Sequence, residues 1–166
     1  MNLIYKDITQ LEVDIIVNAS NGIGFMGGYI GRYIKFSGVA ESIHYETQGE
    51  VEKEAKRAAR KKKWLPCYLA GHHAGEVFLT GAANLKASWI IHAVTMPYPG
   101  MKAKLDTIEH LLPQILILAR RLKAKSIALP LLGTGIGGLA QEAVLLLYKE
   151  YLSSIKDIEV YVVFFR

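Results

Sequence analysis

Two stretches of this chain hold the residue types best suited to gripping a charged ligand. The first runs from Asn18 to Gly31, where Asn18, Ser20 and Asn21 are followed by glycine at five of the ten positions from Gly22 to Gly31. The second is Gly133-Thr134-Gly135-Ile136-Gly137-Gly138. Glycine in such numbers weakens any helix or strand, so it points to unusual backbone angles or to close approach of another group. Backbone N–H groups in such a loop can converge on an anion, and a following helix adds its positive N-terminal end. That chemistry holds a pyrophosphate without a lysine, and two such loops suit a diphosphate with a group on each side.

Other chemistries fit less well. Gly22-Ile23-Gly24-Phe25-Met26-Gly27 matches G-x-G-x-x-G, but Ala19-Ser20-Asn21 separates it from the strand, where a dinucleotide fold makes its turn at once. No Gly-Lys-Ser/Thr follows the second loop, which argues against a P-loop. His72 and His73 are adjacent and would face opposite ways on a strand. His44, His92 and His110 fall in separate elements, with no H-x-x-x-H spacing, so no metal site is expected. His92, inside an apolar run, reads as a hydrogen-bonded core residue. By type alone, Tyr29, His44, His72 and His73 are the remaining acid–base candidates, since Asn21 cannot act as a base.

The elements that must position these loops follow from periodicity. Leu3 to Ile8, Asp14 to Asn18, Glu76 to Thr80, Trp89 to Val94, Ser126 to Leu132 and Ile158 to Phe165 read as strands. Gly38 to Lys63 reads as one long helix, acidic early and basic late. Lys102 to Lys125 is helical in pattern, with Pro113 expected near its start or at a kink. Leu139 to Ser154 reads as the last helix. Alternating strands and helices imply an α/β fold, three layers deep, with a mixed and largely parallel central sheet. In such sheets ligands sit at the carboxyl ends of strands, where both glycine loops fall.

Length and composition agree with this. The 166 residues suit a single domain spanning 1–166, and 51% hydrophobic against 21% charged residues indicates a folded chain. The single cysteine, Cys67, excludes an internal disulfide, and the N-terminus lacks a signal-peptide pattern, so a cytoplasmic location is expected. No apolar window is long enough to span a membrane. The net charge of +5 owes much to the run Lys56 to Lys63. That run suits either nucleic-acid phosphates or the ordinary basic end of a helix.

Five blocks, in order, resemble macrodomains. They are Asp7-Ile8-Thr9; Val13 to Asn21 with its glycine loop; Gly75-Glu76-Val77 with Thr80-Gly81; Ile90 to Val94; and Ser126 through Gly138. The resemblance covers nearly the whole chain and implies the macrodomain fold and an ADP-ribose-type ligand, with no cofactor. By position, Asp7 resembles the carboxylate that accepts from the adenine amino group, with Ile8 beside it. Asn21 resembles the side chain on the distal ribose, and is the one catalytic candidate the likeness supplies; Asn18 is expected to be structural. Gly27, Gly28, Tyr29 and Ile30 would lie along the diphosphate and distal ribose. Gly133, Thr134, Gly135, Ile136 and Gly137 would supply the second set of amides, and Phe165 an aromatic ring against adenine.

The departures bear on turnover. One hydrolytic class of the family carries an aspartate where this chain has Ile30, which cannot accept a proton or orient water. Another uses a lysine nucleophile and a loop aspartate, where this chain has Ala19-Ser20 and Ile136-Gly137. Met26-Gly27-Gly28 resembles that class in loop shape only. The likeness therefore implies binding of ADP-ribose or an ADP-ribosylated macromolecule. An active chain would be an ADP-ribosyl hydrolase or an ADP-ribose ester or phosphate hydrolase. The alternatives are a non-catalytic reader, or a nucleic-acid-associated module using Lys56 to Lys63.

Overall fold

The computed structural model describes residues 1–61, 64–66, 69 and 71–164. Six strands form one sheet: β1 (Asn2–Tyr5), β2 (Ile15–Asn21), β3 (Val77–Gly81), β4 (Trp89–Met96), β5 (Ser126–Pro130) and β6 (Glu159–Phe164). Their spatial order is β1-β6-β5-β2-β4-β3. Every neighbouring pair is parallel except β3 with β4, so the sheet is mixed. Four α-helices stand among the described residues: α1 (Val39–Glu46), α2 (Glu50–Ala59), α3 (Leu105–Arg121) and α4 (Gln141–Leu152).

Strand alternation sorts the core into two layers. Ile15 and Val17 of β2 face one side, where they meet Ile108, Leu111 and Ile115 of α3 and Val144 and Tyr148 of α4. Ile16 faces the other side, where Ile43 of α1 and Val51, Ala55 and Ala59 of α2 cover the sheet. The α2 residues repeat every four positions, which is the spacing of a single buried helix stripe. Burial on both faces explains the continuous apolar runs Ile15 to Val17 in β2 and Trp89 to Ile91 in β4.

One long helix over Gly38 to Lys63 does not form. It is broken between α1 and α2 at Gln48 (φ 50°) and Gly49 (φ 80°), both left-handed. The break turns α2 back along the sheet, and Gly49 packs where a Cβ would fall 2.5 Å from Arg32 Nε. Lys62 and Lys63, at the end of that expected helix, lie outside the described residues. Pro113 sits well inside α3 rather than near its start. Among the described residues no helix is long and apolar enough to cross a membrane.

Candidate functional site

The carboxyl ends of β1, β6, β5, β2 and β4 open into one cleft of about 590 Å³. Tyr5 and Phe164, at the ends of β1 and β6, line it and stack on each other with ring centroids 4.7 Å apart. Next along the sheet comes the loop after β5, which contributes Gly133 to Gly137. Asn21, Phe25 and Met26 follow at the end of β2, and Thr95, Met96, Pro99 and Gly100 after β4. Residues 37–41, entering α1, close the facing wall. A second hollow of about 560 Å³, at the opposite ends of the strands, is lined by Asp14, Lys86 and Ser126 and is remote from both glycine loops.

The loop after β5 is held rigidly at its base. Tyr148 of α4, fully buried, donates to Pro130 O at 2.8 Å and accepts from Leu132 N at 3.1 Å. Burial raises the Tyr148 hydroxyl above its usual range, so it stays a donor. Gly133 takes φ +77°, and a Cβ there would meet Leu139 at 2.9 Å and Ala103 at 3.0 Å. Leu139 N and Ala103 N bond Gly133 O and Gly137 O, each at 3.0 Å. The N–H groups of Gly135, Ile136 and Gly137 take no acceptor among the described residues. Three consecutive N–H groups without a partner among the described residues, on a cleft wall, are the donor set that an anion-binding nest requires.

The loop after β2 is built differently. Asn21 Oδ1 accepts from Phe25 N at 3.1 Å and Ile23 N at 3.3 Å, while its Nδ2 donates to Phe25 O at 2.7 Å. Asn21 thus closes its own loop and lines the cleft. The glycines here are approached by the protein itself. A Cβ on Gly22 would fall 2.1 Å from His72 O, and one on Gly31 would fall 2.8 Å from His44 Cδ2. Fully buried His44 has Nε2 2.7 Å from Gly28 O and Nδ1 2.9 Å from Glu52 Oε2. Lys56 in turn meets Glu52 at 2.6 Å, so α1 and α2 fasten this loop from beneath.

A family model, the Macro domain, matches residues 17–147. The chain belongs to the Macro domain family. Over 168 aligned positions this macrodomain is 33% identical to a macro domain-containing protein of Listeria monocytogenes, covering 95% of this chain and 86% of that one. Two Oceanobacillus iheyensis macrodomain structures, one a mutant with ADPR and one with ADP, match with TM-scores of 0.74 and 0.76 at 25% identity. They cover 97% and 99% of this chain, and this chain covers 82% of each.

Within this macrodomain, Asn21 and Gly133, Thr134, Gly135, Ile136 and Gly137 come together on the cleft. Gly27, Gly28, Tyr29 and Ile30 do not line it. Tyr29 and Ile30 are 73% and 59% exposed, at the start of a short 3-10 turn, and Tyr29 packs edge-on against Tyr33. Ile8 is fully buried in the core. Asp7 lies beside the cleft wall, tied to Ser42 of α1. Phe165 lies outside the described residues, and Phe164 lines the cleft.

The rings of His44, His72 and His92 are engaged within the fold. His92 Nδ1 faces Asn18 Nδ2 at 3.2 Å and its Nε2 faces Thr80 Oγ1 at 2.9 Å, so Asn18 is a core residue. Burial depresses His92 to about 3, which keeps it neutral. His72 bonds Glu76 at 3.1 Å, and burial lowers it. Among the described residues no group of three or more His, Cys, Asp or Glu could hold a metal ion. The basic run is partly consumed within the fold: Lys56 pairs with Glu52 and Lys61 with Glu76. Sequence reasoning missed Tyr5, Glu41 and Tyr148. The two tyrosines carry no motif, and Glu41 reads as an ordinary acid in the first turn of a helix.

Proposed function

We propose that this macrodomain binds ADP-ribose or an ADP-ribose derivative in the cleft, with its base at the β1–β6 end and its distal ribose at β2. The observation that carries this reading is the run of three N–H groups without a partner among the described residues, Gly135 to Gly137, in the middle of the cleft wall. Aromatic rings lie to one side of that nest, and Asn21 lies on the other. A base, a diphosphate and a ribose follow one another in the same order. The O. iheyensis structures with ADPR and ADP support the ligand class.

The first glycine loop acts by shape. Its Asn21 turn sets the wall against which the ribose packs. Recognition without turnover is the reading the site supports best, because Glu41 is the one carboxylate among the described cleft-lining residues and it folds back over Gly38 onto its own backbone N–H. Removal of ADP-ribose from an acceptor would have to draw its base from the ligand's own phosphate, with the protein orienting water. Calorimetric titration with ADP-ribose tests the first claim, and absence of binding by the folded protein refutes it. Incubation with ADP-ribosylated protein and ADP-ribosylated single-stranded nucleic acid tests the second; released ADP-ribose would overturn the reader assignment. Salt dependence of binding to an unmodified strand separates a phosphate-driven contact at Lys56 to Lys61 from binding in the cleft.

A further inference from the structure

Backbone amides can hold a pyrophosphate without a lysine, yet a lysine stands against the second loop. The segment that follows β4 runs beside the loop that follows β5, and Ala103 N fastens the two by donating to Gly137 O at 3.0 Å. Ala103 is buried there, and a Cβ on Gly137 would fall 2.8 Å from Ala103 Cβ. One residue earlier, Lys102 lays its side chain across Gly138. A Cβ on that glycine would fall 2.9 Å from Lys102 Nζ and 3.5 Å from its Cδ. The sequence pattern starts a helix at Lys102, but α3 begins only at Leu105, so Lys102 stays in the coil beside the loop.

This ammonium has no counter-charge. None of the ion pairs among the described residues includes Lys102. Lys35, Lys56 and Lys61, by contrast, are each held by a carboxylate. Lys102 lies against a loop whose Gly135, Ile136 and Gly137 N–H groups also find no acceptor among the described residues. A cation and N–H dipoles of the same sign thus stand side by side, and an anion on the loop would relieve both.

The surroundings of Lys102 fix which part of a ligand it can meet. Gly100, two residues before it, lines the cleft with Met96 and Pro99 after β4. In the sheet β4 lies beyond β2, away from Tyr5 and Phe164 at the ends of β1 and β6. Lys102 therefore approaches the nest from the side opposite the aromatic rings. Its flexible four-carbon stem lets the ammonium leave Gly138 for a phosphate seated on the nest.

We propose that Lys102 is a phosphate-binding residue of this cleft, a mobile point charge that joins the Gly135 to Gly137 amides on the diphosphate. The inference rests on the ADP-ribose reading. Lysine serves such a site as a charge rather than as a shaped fork, so arginine should replace it and glutamine should not.

The test is calorimetric titration with ADP-ribose at about 50 mM and about 300 mM salt, beside thermal unfolding. Lys102→Gln removes the charge and Lys102→Arg keeps it. Lys104→Gln makes the same change in net charge two residues away. Lys102→Gln is expected to lose about fivefold in affinity at the lower salt, the upper end for an exposed ion pair, and much less at the higher salt. Lys102→Arg and Lys104→Gln should bind as the native protein does. All three should unfold within about 1–2 °C of it, as surface substitutions do. Affinity within about twofold of native in Lys102→Gln at the lower salt would overturn the inference. So would an equal loss in Lys104→Gln, which makes the effect one of net charge. A loss that ignores salt, or that Lys102→Arg shares, would show packing rather than charge and overturn it as well. Each of these outcomes leaves ADP-ribose binding standing. If the folded native protein binds no ADP-ribose, that reading and this inference fall together.

Discussion

Gly135 offers a perturbation that separates binding from folding. Its φ is not left-handed, and a Cβ built on it meets no atom within 4 Å, so a side chain at this position meets open space. Gly133 and Gly137 differ, since a Cβ on either would collide at 2.9 Å or closer. Gly135→Glu should therefore change stability by less than about 0.5 kcal/mol, as for a surface substitution. In a chain of this size that is a shift of about 1–2 °C in Tm. The new carboxylate would stand on the nest proposed to hold a diphosphate. Two phosphate charges about 6 Å away, at effective dielectrics between about 20 and 80, give about 1.5–5.5 kcal/mol of repulsion in total. A central value near 3 kcal/mol is about a hundredfold loss of affinity. Added salt should recover part of it, and Gly135→Ala should lose much less, because it adds bulk without charge. Calorimetric titration with ADP-ribose beside thermal unfolding reads both quantities. Native affinity in a folded Gly135→Glu protein would refute the assignment of the diphosphate to the second loop.

Other outcomes follow from single contacts. Asn21→Ala removes three hydrogen bonds that close the β2 loop, so thermal unfolding should show a loss of about 2 kcal/mol and calorimetry a weaker ADP-ribose complex; an unchanged Tm would contradict the loop-closing role. Tyr148→Phe strands Leu132 N and should destabilise by about 1–3 kcal/mol while weakening ligand binding through the second loop, measured in the same two assays. His92, neutral when folded and depressed from 6.5 to about 3, binds its proton more readily in the unfolded chain. Its contribution is present above pH 6.5 and is lost as pH falls toward 3, at up to about 1.4 kcal/mol per pH unit. Urea unfolding at pH 7 and pH 5 should show that slope, and His92→Gln should flatten it.

Much of this macrodomain was determined along the chain itself. The apolar runs Ile15 to Val17 of β2 and Trp89 to Ile91 of β4 require cover on both faces, and the alternation of strands with amphipathic stripes such as Val51, Ala55 and Ala59 requires layers. The glycine clusters after β2 and β5 fall at the carboxyl end of the sheet, where folds of this class open their clefts, although the sequence pattern ends β2 at Asn18 and the strand runs on to Asn21. Those are local properties, set by period and by backbone freedom.

What only the tertiary structure decided is which of these groups remain available. Gly22 and Gly31 are small because His72 and His44 press on them, so the first loop owes part of its glycine to the protein's own packing. The helix break at Gln48 and Gly49 is what turns α2 so that Glu52 meets His44. Asp7 bonds Lys35 and Ser42, which lie 28 and 35 residues further on. Tyr148 reaches back 18 residues to fasten the second loop at Pro130. Hydrogen-bonding capacity is a property of the residue type and is legible in the sequence. Whether that capacity is already spent depends on neighbours far along the chain, and only the folded arrangement of strands and helices brings them together.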